Sequence, residues 1–163
     1  MDLSTASKEV RAFWKDFGAS VPDDPSRRFY EAFHFADSEA VADELAQLVL
    51  AGTKQATASL RWMYEYERQP LPAVGGLSVV TFWSGEPVCV IETRKVEIVP
   101  FNEVTPEFAR IEGEGDRSLE YWRKAHWEFF IAECAQAGRR PSPDMEVVCE
   151  QFAVVYRRDC GTV

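Results

Sequence analysis

Gly52-Thr53-Lys54-Gln55-Ala56-Thr57-Ala58-Ser59 is the stretch in which a helical pattern gives way to a strand pattern. Upstream of it, Asp37 or Ser38 can cap a helix that carries Glu39 in its first turn, with Val41, Leu45, Leu48 and Val49 as its predicted buried stripe. Gly52 stands where a helix commonly ends on a left-handed residue. Gln55 to Leu60 then predicts a strand. This handover has a chemical consequence. Residues three apart face opposite sides of a strand and share a side only on a helical turn. Lys54 and Thr57 can therefore cooperate only if the chain bends between Gly52 and Lys54 before the strand settles. A threonine hydroxyl is a poor nucleophile without a neighbouring base, and a desolvated lysine can be one. The same residues also suit a plain connection, with a solvated lysine and a threonine that merely favours the strand.

Outward from this stretch, the pattern alternates helices with strands. Val10, Phe13, Trp14 and Phe17 predict a helix from about Ser7 to Phe17, followed by the turn-rich Val21 to Pro25. Phe29 to Phe35 alternates as a strand does. Trp62 to Arg68 reads as a short helix or loop closed by Pro70 and Pro72. Leu77 to Trp83 and Val88 to Val99 predict an antiparallel pair around Ser84-Gly85-Glu86-Pro87, with Trp83 in the core. Thr105-Pro106 opens a helix that Glu112-Gly113-Glu114-Gly115-Asp116 breaks, and Ser118 caps the longest helix, ending near Ala137. Glu146 to Arg157 predicts the last strand. Sequential strands with inserted helices indicate an α+β domain.

Composition bounds the function. The 163 residues are 46% hydrophobic and 13% aromatic, enough for one well-packed core and too apolar for a disordered chain. Acids outnumber bases 27 to 18, which excludes a generic polyanion binder because such binding needs a field of Lys and Arg. Contact with RNA would be confined to a local patch or a single nucleotide, and no DNA partner is expected. The N-terminus lacks a basic start and an apolar core, and no run approaches a membrane span. Cys89, Cys134, Cys149 and Cys160 form no CxxC pair, and with only His34 and His126 beside them no structural zinc site is expected. Free thiols in a reducing cytoplasm are the expectation.

Four passages together resemble the ASCH-domain family, whose small β-barrel is similar to the PUA fold of RNA-modifying enzymes. They are Gly52-Thr53-Lys54, Gly85 to Glu92 with Thr93-Arg94-Lys95-Val96, Phe108 to Asp116, and Ser118 to Phe130 with Trp122, Arg123 and His126. The likeness spans roughly Phe29 to Arg158 and looks closest to longer bacterial members. It implies an α+β fold built on a curved, mostly antiparallel β-barrel with flanking helices. The implied organisation is a helical extension over 1–28 packed on an ASCH domain over 29–158, with a tail over 159–163.

The resemblance also implies an activity. Small bacterial members are amidohydrolases that deacetylate N4-acetylcytidine, cleaving a carbon–nitrogen bond in a linear amide. Their lysine, threonine and glutamate fall on Lys54, Thr57 and Glu112, so Thr57 would attack the acyl carbonyl and Lys54 would take its proton. Glu112 would orient the substrate amine or shuttle a proton rather than pair closely with Lys54, and backbone amides near Gly52 would hold the oxyanion. The chain departs from the family at Ser59, where the amidohydrolases carry an arginine. Arg61, two residues further along the predicted strand, would face the same way. Trp62 and Tyr64 are candidates to stack on a base, and Arg117 joins Arg94, Lys95, Arg123 and Lys124 as a candidate basic rim. His126 and Trp122 fall on the apolar stripe of the long helix and are expected to pack inward. No metal and no cofactor is implied. The acidic run at Glu112 lacks the spacing of a calcium loop. The expected partner is a small nucleoside-like substrate or locally bound RNA, with a non-catalytic RNA-binding module or a ribonuclease as the alternatives.

Overall fold

The computed structural model describes residues 3–158; the predicted tail over 159–163, Cys160 within it, lies outside the described residues. Five strands, β1 (Phe29–Phe33), β2 (Ala56–Leu60), β3 (Leu77–Thr81), β4 (Pro87–Pro100) and β5 (Glu146–Arg157), form one sheet. Five α-helices accompany them, α1 (Lys8–Ser20), α2 (Glu39–Leu50), α3 (Arg61–Tyr66), α4 (Pro106–Glu112) and α5 (Leu119–Gln136). The sheet order is β1-β3-β4-β5-β2, antiparallel throughout except for β1 alongside β3. No ladder joins β1 to β2 among the described residues, so the sheet is open and mixed. This corrects the expected barrel. The reason lies in β4 and β5: at 14 and 12 residues they are at least about twice the usual strand length. Their ladder, from Cys89↔Arg157 to Pro100↔Glu146, carries β3 and β2 at opposite ends.

The helices cover the sheet in three apolar clusters. α1 lays Val10, Phe13, Trp14 and Phe17 on Leu77, Val79 and Val90, and each such burial contributes about 2 kcal/mol. Ser7 caps this helix by accepting from the Val10 amide. α2 meets Val80, Ile91 and Phe152, but through Ala42, Ala46 and Val49. Val41 instead is 42% exposed, a correction to the predicted stripe: the alanines let the helix approach the sheet, and Leu45 packs only partly buried against the same cluster. α4 and α5 cover the far end of β2 and β5, packing Phe108, Trp122 and Phe130 on Ala56, Leu60 and Val147. Trp83 is not in the core. β3 stops at Thr81, and Trp83 sits in the following turn, 41% exposed and against His34.

Candidate active site

The bend required between Gly52 and the strand is present. Gly52 takes φ +73°, the amides of Thr53 and Lys54 both return to the Leu48 carbonyl, and β2 begins only at Ala56. This turn carries the Lys54 side chain inward, where it is 1% exposed. The second segment of the site's backbone is the end of α4. Gly113 caps α4 in the left-handed region at φ +76°, and a Cβ there would lie 2.1 Å from the Thr53 carbonyl oxygen. The Gln55 amide donates to the Ile111 carbonyl at 3.0 Å. Glycine at 113 thus permits the backbone contact that holds the carboxylates of Glu112 and Glu114 against Lys54.

Lys54 Nζ lies 2.6 Å from Glu114 Oε1 and 3.4 Å from Glu112 Oε1. The pair is buried, not a surface ion pair, and the expectation that Glu112 would stand apart from Lys54 is corrected. Glu112 is further saturated by α5. Trp122 Nε1 donates to its Oε2, and His126 Nε2 lies 3.1 Å from its Oε1. His126 Nδ1 faces the Trp122 carbonyl at 3.0 Å, so that nitrogen carries a proton. The two rings stack with centroids 4.2 Å apart. Burial alone would push the Glu112 carboxyl up, but His126, Lys54 and the Trp122 N–H together hold it well below the ordinary carboxylate range. Burial pulls the His126 imidazole down, and the Glu112 charge outweighs it and raises the pKa. Lys54 and His126 thus face the carboxylates of Glu112 and Glu114 in one buried cluster.

A cavity of about 470 Å³ opens beside this cluster between α2 and α5. Thr57, Glu112, Glu114 and His126 line it together with Phe35, Leu45, Tyr121 and Phe129. Thr57 is half-buried, and its hydroxyl has no side-chain partner among the described residues. Lys54 stands one layer behind this wall, against the Phe35 ring. Glu114, with 17% of its side chain exposed, is held by Lys54 through Oε1 alone. Across the ladder from Thr57 stands Glu150, buried and accepting from Thr93 Oγ1 at 2.6 Å.

The sequence therefore brings Lys54, Thr57 and Glu112 to one place, and the remaining predicted residues elsewhere. Arg61 opens α3 rather than continuing β2, and its guanidinium pairs with the exposed Glu146 at 2.7 Å. Ser59 is hydrogen-bonded to Tyr64, which is largely buried. Trp62 packs on the core with Arg139 over its ring at 4.5 Å. Arg117 turns onto the Arg110 carbonyl. None of these five lines the cavity. Two of the five residues of the predicted basic rim are ion-paired, Arg94 with Glu92 and Lys95 with Glu97. The expected backbone oxyanion contacts are corrected as well: the amides of Gly52, Thr53, Lys54 and Gln55 all serve internal hydrogen bonds. Glu114 and His126 were not predicted as site residues. Their signal was a buried imidazole and a buried indole N–H on one helix stripe, which require an acceptor in the core.

Ligand atoms of Glu112, Glu114 and His126 lie within 4.8 Å of one another, the spacing of a metal site. The Lys54 ammonium, however, already contacts both carboxylates. A metal ion would have to displace it.

A family model for the ASCH domain matches residues 31–156. The chain is similar to the crystal structure of an ASCH domain from Lactobacillus crispatus JV V101, with 37% identity and a TM-score of 0.89 over 96% of this chain and 100% of that one. It is also similar to a protein of the DUF984 family from Enterococcus faecalis V583, with 35% identity and a TM-score of 0.80 over 91% of this chain and 88% of that one. No curated protein matches it. Among the described residues no helix is long and apolar enough to cross a membrane.

Proposed function

The chain belongs to the ASCH-domain family, a PUA-like fold, and from that premise we propose that it hydrolyses the amide of an N-acylated pyrimidine nucleoside such as N4-acetylcytidine. The observation that carries this reading is the Thr57 hydroxyl, without a side-chain partner among the described residues, in one cavity with the carboxylates of Glu112 and Glu114 and with His126. In the proposed mechanism Thr57 Oγ attacks the acyl carbonyl and forms an ester, and the amide C–N bond breaks. The proton lost by Thr57 passes to Glu114, whose second oxygen is uncommitted, and then to the departing nitrogen. Water hydrolyses the ester and restores the hydroxyl. Glu112 is too fully hydrogen-bonded, and held too acidic, to serve as that base. Lys54 is a positioning residue in this scheme: it fixes both carboxylates and supplies the charge that keeps them in a desolvated wall.

The test is hydrolysis of N4-acetylcytidine to cytidine, followed by absorbance, with Thr57→Ala in parallel. The expected outcome is turnover by the natural chain and at least a thousandfold loss in the variant. The variant's stability should stay within about 0.5 kcal/mol, because the hydroxyl has no side-chain partner to lose among the described residues. Equal turnover by Thr57→Ala would remove the nucleophile from the scheme, and no turnover of any acylated nucleoside by the natural chain would remove the reading.

A further inference from the structure

The cavity is electrostatically one-sided. Its lining contains four carboxylates, Asp37, Glu112, Glu114 and Glu128, and no lysine or arginine. Those of Glu112 and Glu114 are balanced by Lys54 and His126. Asp37 and Glu128 are exposed on the rim, where neither has a cationic partner among the described residues. A further carboxylate stands close by on α5. Glu133 has one buried oxygen, Oε2, with no hydrogen-bond partner among the described residues. Burial, reinforced by the charges of Glu67 and Asp37, pushes its carboxyl up to about 7. Carboxylates that repel one another at a cavity mouth leave a place that a positive charge would relieve.

We infer that this cavity selects a substrate with a positive charge at the end remote from its acyl group, and that it disfavours a phosphate there. The inference rests on the amide-cleaving reading and names its substrate class. A volume of about 470 Å³ suits a nucleoside-sized ligand. With the acyl group against Thr57, the opposite edge of a pyrimidine ring directs its sugar towards the rim. A 5′-ammonium then meets Asp37 and Glu128, whereas a 5′-phosphate meets the same two charges with the wrong sign. RNA is disfavoured for the same reason.

Three substrates on one scaffold test this: N4-acetylcytidine, its 5′-amino-5′-deoxy derivative and its 5′-monophosphate. The expected order of kcat/KM is amino, then neutral, then phosphate, with steps on the order of tenfold at low ionic strength that shrink in high salt. The double variant Asp37→Asn, Glu128→Gln should narrow the spread between the charged pair. Equal rates for all three, or a faster phosphate, overturn the inference while leaving the amidohydrolase reading intact. If none of the three is cleaved, N4-acetylcytidine falls as the substrate, and calorimetric binding of the same compounds to Thr57→Ala decides the charge preference. Tighter binding of the amino compound supports it; equal binding, or none, overturns it.

Discussion

Gly113→Ala isolates the contact on which the whole site depends. Gly113 and Gly52 have nearly the same backbone, φ +76° and +73°, and differ only in surroundings. A Cβ at Gly52 would meet nothing within 4 Å. Gly52→Ala should therefore cost only the left-handed strain, about 1 kcal/mol. At Gly113 the same Cβ would lie 2.1 Å from the Thr53 carbonyl oxygen, 2.7 Å from its carbon and 3.1 Å from Lys54 Cα. The closest of these is more than 1 Å inside ordinary contact, and the obstacle is backbone, which cannot swing aside as a side-chain end can. Overpacking of this kind adds about 1–3 kcal/mol. Gly113→Ala should then lose about 2–4 kcal/mol in all.

The displacement it forces has a direction. It pushes α4 away from the Thr53-Lys54 turn and so lengthens the Lys54–Glu112 and Lys54–Glu114 contacts. Urea denaturation followed by tryptophan fluorescence measures the two costs. Turnover per folded molecule should be lost in Gly113→Ala and retained in Gly52→Ala. A cost for Gly113→Ala within about 0.5 kcal/mol of that for Gly52→Ala would refute the argument, since identical strain would then account for both.

Two further expectations concern pH. Glu133 has a carboxyl raised from 4.5 to about 7, so its burial costs nothing below 4.5 and a growing amount as pH rises towards 7. Glu133→Gln should accordingly leave stability unchanged at pH 4 and raise it by about 1–2 kcal/mol at pH 8, discounted for partial exposure; urea midpoints at the two pH values check this, and a variant less stable at pH 8 contradicts it. The Glu112–His126 pair behaves oppositely at its two ends. The raised His126 contributes fully below 6.5 and is lost as pH climbs through its higher folded value, while the depressed Glu112 contributes above 4.5 and is lost only well below that. Nitrogen NMR should find the His126 ring keeping its second proton to a higher pH than a free imidazole does, whereas a ring that turns neutral below 6.5 would show that Glu112 does not hold the charge.

Local signals were legible in the sequence where they were strong. Ser118 accepts from the Tyr121 amide and starts α5, Thr105 with Pro106 starts α4, and β5 runs from Glu146 to Arg157 as its alternation predicts. What the sequence conceals is pairing between distant segments. Whether β1 reaches β2 depends on how far the β4–β5 ladder has turned, and no residue in either edge strand encodes that. The face of α2 was hidden for a different reason. Hydrophobicity favours Val41 and Leu45, but a helix can approach a sheet more closely through alanines, which leaves the larger side chains to wall the cavity. Within the site, Lys54, Thr57 and Glu112 were legible through the family pattern. His126 was read as core, which is true of its burial and misses its bond to Glu112.

The role of Lys54 follows from counting donors and acceptors rather than from its identity. An ammonium has three N–H donors, of which two go to Glu112 and Glu114. Glu112 receives three donors, one each from Lys54, Trp122 and His126, so its own capacity is nearly exhausted. A group so constrained cannot easily change its protonation during a reaction. Glu114 differs because only one of its oxygens is engaged and because it faces the cavity. The cluster therefore divides into a fixed part, Glu112 with His126 and Trp122, and a part free to take a proton, Glu114. Lys54 joins the two, and Thr57 lines the same cavity as both carboxylates.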